Sequence, residues 1–194
     1  MTGTPGVMDD KERRAALREV LLLEYEALKS EQKARIVARD HLMYATLAGL
    51  VSVLAVVLTA GAPPGTLLLL PPVCLVLGWT YLANDLKISA AGRYLRRELA
   101  PRIAELAGSP PDAVLRWERA HRTEPGRTST KILQLSVDLL MFVVPAAAAV
   151  ALHWPARASG RGFLIVSLAE LSAVAVLAVR IVLAADLTSE RRTP

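Results

Sequence analysis

HLMYATLAGLVSVLAVVLTAGAPPGTLLLLPPVCLVLGWTYLAN, residues 41–84, is the stretch that decides the fold, because it places two apolar runs on either side of a Gly/Pro-rich turn. Residues 42–60 and residues 66–83 contain no charged side chain. A helix needs about 20 predominantly apolar residues to cross a hydrocarbon core of about 30 Å. Each run is therefore predicted to span a membrane, and residues 41–84 to form a transmembrane hairpin of spans 1 and 2.

A second apolar hairpin occupies residues 132–185. Span 3 is predicted at residues 132–153 and span 4 at residues 163–185, with the outer loop between them. Prolines interrupt two of the four spans, at Pro71-Pro72 and at Pro145, and a proline inside a helix predicts a kink. The predicted fold class is all-α, a four-transmembrane-helix bundle with a cytosolic antiparallel helical extension.

The extension is predicted from two apolar stripes that lie outside the spans. Residues 9–40 contain no Gly or Pro and should form a cytosolic helix that is continuous with span 1. Residues 85–131 form a second cytosolic helical segment, in which Pro101 predicts a kink. Because both stripes have helical spacing, they can be buried on each other in an antiparallel pair. The two stripes are Leu17, Leu21, Tyr25, Leu28, Gln32 and Ile36, and Ile88, Ala91, Leu95, Leu99, Ile103 and Leu106.

The distribution of Lys and Arg predicts the orientation in the membrane. Residues 1–40 hold eight of these side chains and residues 85–131 hold ten, whereas residues 61–65 hold none. Since Lys and Arg accumulate in cytoplasmic loops, both termini are expected in the cytoplasm of a multi-pass protein of the cell membrane. Residues 1–8 are expected to be disordered, and residues 186–194 to be a cytosolic tail.

Three charged residues lie inside the predicted spans, where each needs a partner or a wet cavity. Asp138 and Arg180 both lie about 9 Å from the cytosolic end of their spans, from a rise of 1.5 Å per residue. We therefore expect a buried Asp138–Arg180 ion pair; the alternative is that Arg180 extends to the headgroups and Asp138 is protonated. Glu170 lies near mid-membrane. It is predicted to be a proton or cation site, or a pore-lining residue if several subunits assemble, or else a protonated carboxyl bonded to a neighbouring helix. Ser52, Ser167 and Ser172 are the possible hydrogen-bond partners.

Two further groups of residues are assigned to the cytosolic side of the membrane. Amphipathic side chains at the ends of the spans are expected to anchor them at the headgroups; these are His41, Tyr44, Trp79 and Tyr81. A concentrated basic patch could bind a headgroup or a phosphate-bearing ligand, or simply reflect the positive-inside topology. It consists of Arg116, Arg119, His121, Arg122 and Arg127.

Several function classes find no support in the sequence. The chain has no phosphate-binding glycine loop and no HExxH motif. Glu118 and His121 match only half of a carboxylate-bridged di-metal site. The net charge of +5 is explained by cytoplasmic Lys and Arg, because no basic stretch is interleaved with stacking aromatics. We expect neither an enzyme, nor a metal or other cofactor, nor nucleic-acid binding.

Three segments carry a resemblance to known proteins: EYEALKSEQKARIVARDHLMY, LGWTYLANDLKISAAGRYLRREL, and RWERAHR followed by KILQLSVDLLMF. Together they resemble a group of small, uncharacterised four-span integral membrane proteins of actinobacteria. More loosely, cytosolic helices joined to a few spans are similar to membrane effectors of bacterial defence systems. The first resemblance implies the four-span fold, and neither implies roles for particular residues.

These observations lead to three functional hypotheses. The first is an oligomeric, non-enzymatic membrane effector or channel-like protein, gated when its cytosolic helices bind a protein or an anionic ligand. The second is a membrane anchor or scaffold subunit that recruits a cytosolic partner. The third is a small dimeric transporter that uses Glu170 and the proline-broken helices.

Overall fold

The computed structural model describes residues 9–59, 63–110, 113–116, 127–153 and 161–185. These ranges contain helices and turns and no strand, which confirms the all-α class. The elements are α1 (Asp10–Thr59), a 3₁₀ helix (Pro64–Leu69), α2 (Leu70–Tyr94), a π-helical turn (Leu95–Leu99), α3 (Ala100–Ala107), α4 (Arg127–Phe142), α5 (Val144–His153) and α6 (Arg161–Ala184). The predictions for residues 1–8 and 186–194 lie outside the described residues.

Four helical stretches are long and apolar enough to cross a membrane, as predicted: Asp10–Thr59, Gly65–Ala107, Ser129–Leu152 and Leu164–Ala184. The third stretch joins α4 to α5 across Val143. The Val143 N–H donates to the Leu139 carbonyl at 2.9 Å, and the Val143 carbonyl accepts from Ala147 N–H at 2.9 Å. The local change at Val143 follows from Pro145, which has no N–H and whose ring crowds the carbonyl four residues earlier.

The prolines at the start of α2 coincide with a change of helix type. Residues 64–69 are in a 3₁₀ helix and α2 begins at Leu70, so Pro71 and Pro72 lie in the first turn of α2. The N–H groups of a first turn have no partner inside an α-helix, and prolines are therefore tolerated there. The kink expected at these prolines stays a prediction.

The chain divides into two compact units. Unit 1 comprises Met1–Arg35 and Lys87–Glu124, and unit 2 comprises Ile36–Leu86 and Pro125–Pro194. Helix α1 contributes residues to both units, and so does α2.

In unit 1, α1 packs on the end of α2, the π turn and α3. Leu21 is buried together with Leu95 and Leu99. Further along α1, Gln32 Nε2 donates to the Ile88 carbonyl at 3.4 Å. Residue numbers rise along one segment where they fall along the other, so the two segments are antiparallel, and the two stripes are in contact over these residues. The half-buried neighbours are Tyr25, Leu28, Tyr94, Ile103 and Leu106, whereas Leu17 at the start of the stripe is 46% exposed.

Two local features shape the end of this segment. The Ala100 N–H donates to the Leu95 carbonyl, five residues back, which makes the turn at Leu95–Leu99 π-helical. This wide turn comes just before Pro101, whose missing N–H would break regular α-helical bonding. Helix α3 then ends at Gly108, which has a φ of +60°. The Ser109 N–H donates to the Ala104 carbonyl at 3.0 Å, a closure that favours glycine at the left-handed position.

In unit 2, the core lies between α1, α2, α4 and α6. Phe142 and Leu177 are completely buried, and they pack with Tyr81, Leu82 and Ile181. Gly78 of α2 permits this close approach, since a Cβ at that position would lie 2.9 Å from Leu177 Cδ2 and 3.0 Å from Phe142 Cγ. A second buried cluster joins Cys74 to Ala146 and Val174.

Candidate functional site

Unit 2 contains a group of interacting polar side chains that come from three helices. We call Arg39, Tyr81, Asp85 and Asp138 the polar cluster. Tyr81 and Asp85 are four residues apart on α2, and therefore lie on the same side of that helix. Asp138 comes from α4, and Arg39 from the half of α1 that belongs to unit 2. Helical spacing thus brings four polar side chains from distant parts of the chain together.

Arg39 links α1 to α2. Its Nη1 lies 3.1 Å from Asp85 Oδ1, and the two side chains are 24% and 25% exposed. The guanidinium carbon also lies 5.9 Å from the centroid of the Tyr81 ring, which is within the range of a cation–π contact. The Nε of Arg39 is buried and has no hydrogen-bond partner within the described part of the protein.

Asp138 interacts with Tyr81, and electrostatically with Arg39, rather than with the predicted partner Arg180. The Tyr81 phenol hydrogen-bonds to the Asp138 carboxyl group and also interacts with the Gln134 side chain. Tyr81 is held by packing, because its ring contacts Phe142 with centroids 5.1 Å apart. Asp138 is 8% exposed. The carboxyl group is therefore withdrawn from solvent and oriented by a single phenol.

The polar cluster is only partly satisfied. Asp138 Oδ1 is a buried acceptor without a hydrogen-bond partner in the described ranges, as Arg39 Nε is a buried donor. Each such group costs about 1–3 kcal/mol. A partly paired buried network is therefore a place where a rearrangement, or a bound polar species, would lower the free energy.

The predicted Asp138–Arg180 ion pair is not formed between these two described residues. Asp138 is buried beside Tyr81, whereas Arg180 is exposed on the outer face of α6. Arg180 is exposed although Leu177 and Ile181, which flank it on α6, are buried in the core of unit 2. Residue numbers place Asp138 and Arg180 at similar depths, but they do not determine how each helix is rotated about its axis.

Glu170 is half-buried on α6 and does not belong to the polar cluster. Three serines were candidates for its hydrogen-bond partners. Ser52 and Ser172 donate instead to carbonyls of their own helices, at 2.8 Å to Ala48 and at 2.8 Å to Leu168. Ser167 is buried on the same helix as Glu170. The proposed proton or cation role of Glu170 stays a prediction.

The four predicted headgroup anchors divide into two sets. His41 is exposed, Tyr44 is 69% exposed and Trp79 is 52% exposed, so these three point outward as an anchor must. Tyr81 is 3% exposed and packs inside unit 2, which corrects its assignment as an anchor. Because Tyr81 has a partner for both its ring and its hydroxyl, burial is energetically tolerable.

The predicted basic patch is largely outside the part of the chain that the structure describes. Arg119, His121 and Arg122 are not among the described residues, and the side chain of Arg127 is not described. Arg116 is exposed. Anion binding by this patch stays a prediction.

Sequence reasoning missed Arg39 and Asp85. Both lie just outside the uncharged runs of the first hairpin, at residues 42–60 and 66–83, and so at similar distances from its turn. Opposite charges at matched positions on the two arms of a helical hairpin could have indicated the pair. Their proximity to Asp138 has no such signal, because α4 is distant in sequence.

Other chemistry in the described ranges is limited. Cys74 is a buried free cysteine. Among the described residues, no group of three or more His, Cys, Asp or Glu side chains could hold a metal ion. Comparison with known proteins found no matching family, no matching curated protein and no matching solved structure.

Proposed function

We propose that this protein is a non-enzymatic, oligomeric membrane effector or channel-like protein of the cell membrane, with both termini in the cytoplasm. The apolar parts of its four long helices would be the spans. Unit 1 would be the cytosolic part that receives a signal, and unit 2 the part that alters membrane permeability. The arrangement of Lys and Arg described above supports this orientation.

One observation carries the proposal: the polar cluster is only partly hydrogen-bonded, and two of its residues, Arg39 and Asp85, lie on the two helices that both units share. Arg39 and Asp85 belong to unit 2, and each is within four residues of the point where its helix enters unit 1. Asp138 completes the cluster from α4. A change in unit 1 that moved α1 or α2 would break the Arg39–Asp85 ion pair. It would also change the interactions of Asp138 with the other residues of the polar cluster. A bistable element of this kind is what a gated protein requires.

The proposal is tested by membrane depolarisation in bacteria that carry a potential-sensitive dye. Asp85→Asn should release Arg39 and depolarise the membrane more than the wild type does. Asp138→Asn and Glu170→Gln should reduce depolarisation, because in this proposal ions cross the membrane along a path that includes both carboxyl groups. Ser136→Ala is the matched control on α4, since Ser136 is exposed and bonds only to the Ile132 carbonyl.

Full polarisation with every variant, at equal amounts of protein in the membrane, would contradict conduction. That result would favour the second candidate, a membrane anchor whose unit 1 recruits a partner. The second candidate is supported by apolar side chains of α1 that remain exposed in unit 1.

A further inference from the structure

Helix α1 carries a second apolar stripe in unit 1, on a different side from the stripe that packs on α2 and α3. We call Ala16, Val20, Leu23 and Ala27 the outer stripe. These residues recur at spacings of 4, 3 and 4, which is one face of a helix. Val20 is 57% exposed and Leu23 is 59% exposed. The neighbouring Leu22 is 44% exposed.

The outer stripe lies outside the apolar spans, where lipid would not cover it, so its exposure requires an explanation. Residues 10–35 are rich in charged side chains, and the uncharged run of α1 begins only at Leu42. Isolated exposed leucines are common on protein surfaces, but contiguous apolar surface rimmed by polar residues marks an interaction site. The outer stripe fits the second description.

The borders of the outer stripe are acidic. Glu12, Glu19 and Glu26 follow one border at seven-residue intervals, are exposed, and form no ion pair in the described part of the chain. A groove beside this border is lined by two of these glutamates, one arginine and three apolar residues: Glu19, Glu26, Arg18, Ala15, Leu22 and Leu23. On the other border, Glu24 accepts a hydrogen bond from the Tyr94 hydroxyl and Glu31 pairs with Arg35.

These charges disfavour a second copy of this chain as the occupant. Two copies in one membrane would place their α1 helices parallel. With Val20 and Ala27 at a positions and Leu23 at a d position, Glu19 and Glu26 occupy g positions. In a parallel pair they would face Glu24 and Glu31 of the other copy, and like charges at these positions are destabilising. The anionic surface of a cytoplasmic leaflet is disfavoured for the same reason.

We propose that the outer stripe is a docking site for an amphipathic helix of another protein, whose apolar stripe is bordered by Lys and Arg. Its leucines would cover Val20 and Leu23, and its basic side chains would pair with Glu19 and Glu26. Helix-on-helix recognition through such spaced apolar anchors is a recurring mode of binding. The inference deepens the proposed function by giving unit 1 a partner class, and rests on it only in placing unit 1 outside the bilayer.

The test uses the full-length protein in nanodiscs of phosphatidylcholine, a lipid without net charge. Two fluorescent synthetic helical peptides are compared, identical along a leucine stripe but bordered by Lys in one and by Glu in the other, with empty discs as background. We expect the Lys-bordered peptide to bind more tightly. Leu23→Ser should weaken its binding about tenfold, because a buried apolar anchor is lost.

Charge reversal makes the test specific. The double variant Glu19→Lys, Glu26→Lys should weaken binding of the Lys-bordered peptide by about fivefold to tenfold, as two exposed charge pairs allow, and should now favour the Glu-bordered peptide. Glu105→Lys, at an exposed glutamate on α3, is the control and should not change the preference.

Three results would overturn the docking proposal: no binding of the Lys-bordered peptide, equal binding of both peptides, or an unchanged preference after charge reversal. Light scattering in detergent measures the mass of the oligomer and tests whether a second copy of the chain occupies the outer stripe instead. A wild-type oligomer that Leu23→Ser dissociates would assign the outer stripe to a second copy and reject the proposal. Because these readouts measure binding, they stand apart from the depolarisation assay, and either proposal can fail alone.

Discussion

Arg39 of α1 and Asp85 of α2 form an ion pair at 3.1 Å, although they are 46 residues apart in the sequence. Each side chain is about three-quarters shielded from solvent. Both belong to unit 2, so the contact connects two helices of the same compact unit. It also places a positive charge over the Tyr81 ring, which in turn orients Asp138.

A double-mutant cycle should show that this pair stabilises unit 2. We expect Arg39→Gln and Asp85→Asn each to lower the free energy of unfolding by about 1–3 kcal/mol, because each removes the nearest opposite charge from a shielded side chain. The double variant should lose less than the sum of the single losses. Unfolding in mixed micelles, followed by circular dichroism, measures all three; strict additivity would mean that the pair is not coupled in solution.

Gly78→Ala should destabilise unit 2 by about 1–3 kcal/mol, because the new methyl group would clash with two fully buried side chains. A Cβ there would lie 2.9 Å from Leu177 and 3.0 Å from Phe142. Gly49→Ala is the control, since its Cβ would meet Val73 at an ordinary 3.5 Å. The melting temperature of each purified variant is the measurement, and equal losses for both substitutions would argue against tight packing at Gly78.

Phe142→Ala should cost about 3–5 kcal/mol, as expected when a fully buried aromatic ring is replaced by a cavity. The loss should also free Tyr81, whose ring contacts Phe142. Leu140→Ala provides the comparison on the same helix, because Leu140 is 61% exposed and should change stability by less than about 0.5 kcal/mol. Similar unfolding curves for the two variants would contradict the position of this core.

Glu24→Gln should lower the pKa of Tyr94. The hydrogen bond from the Tyr94 hydroxyl to Glu24 Oε1, at 2.5 Å, raises that pKa because it stabilises the protonated phenol. Since the folded pKa lies above the unfolded one, this contact stabilises unit 1 at neutral pH and is lost only as the pH rises through the folded pKa. Absorbance at alkaline pH, with Tyr94→Phe subtracted to isolate this phenol, follows the titration. An identical titration in Glu24→Gln would show that the contact is absent in solution.

Sequence alone predicted the features that depend on composition and period. The uncharged runs predicted four helices long enough to cross a membrane. Apolar residues at spacings of three and four predicted that the stripe of Leu21 faces the stripe of Leu95 and Leu99. Depth in a span also follows from residue number. The rotation of each helix does not, because many packed neighbours decide it together. For that reason Asp138 is buried and Arg180 is exposed although their predicted depths match, and Tyr81 is buried although it was expected at the headgroups.

The π-helical turn at Leu95–Leu99 determines which side of α3 faces α1. It contains one residue more than an α-helical turn, and one residue corresponds to about 100° of rotation around an α-helix. Deleting a single residue from this turn would restore regular geometry but swing Ile103 and Leu106 away from α1, which they now help to cover. The extra residue therefore corrects the rotation of the helix. It keeps the apolar side of the segment facing α1 on both sides of Pro101.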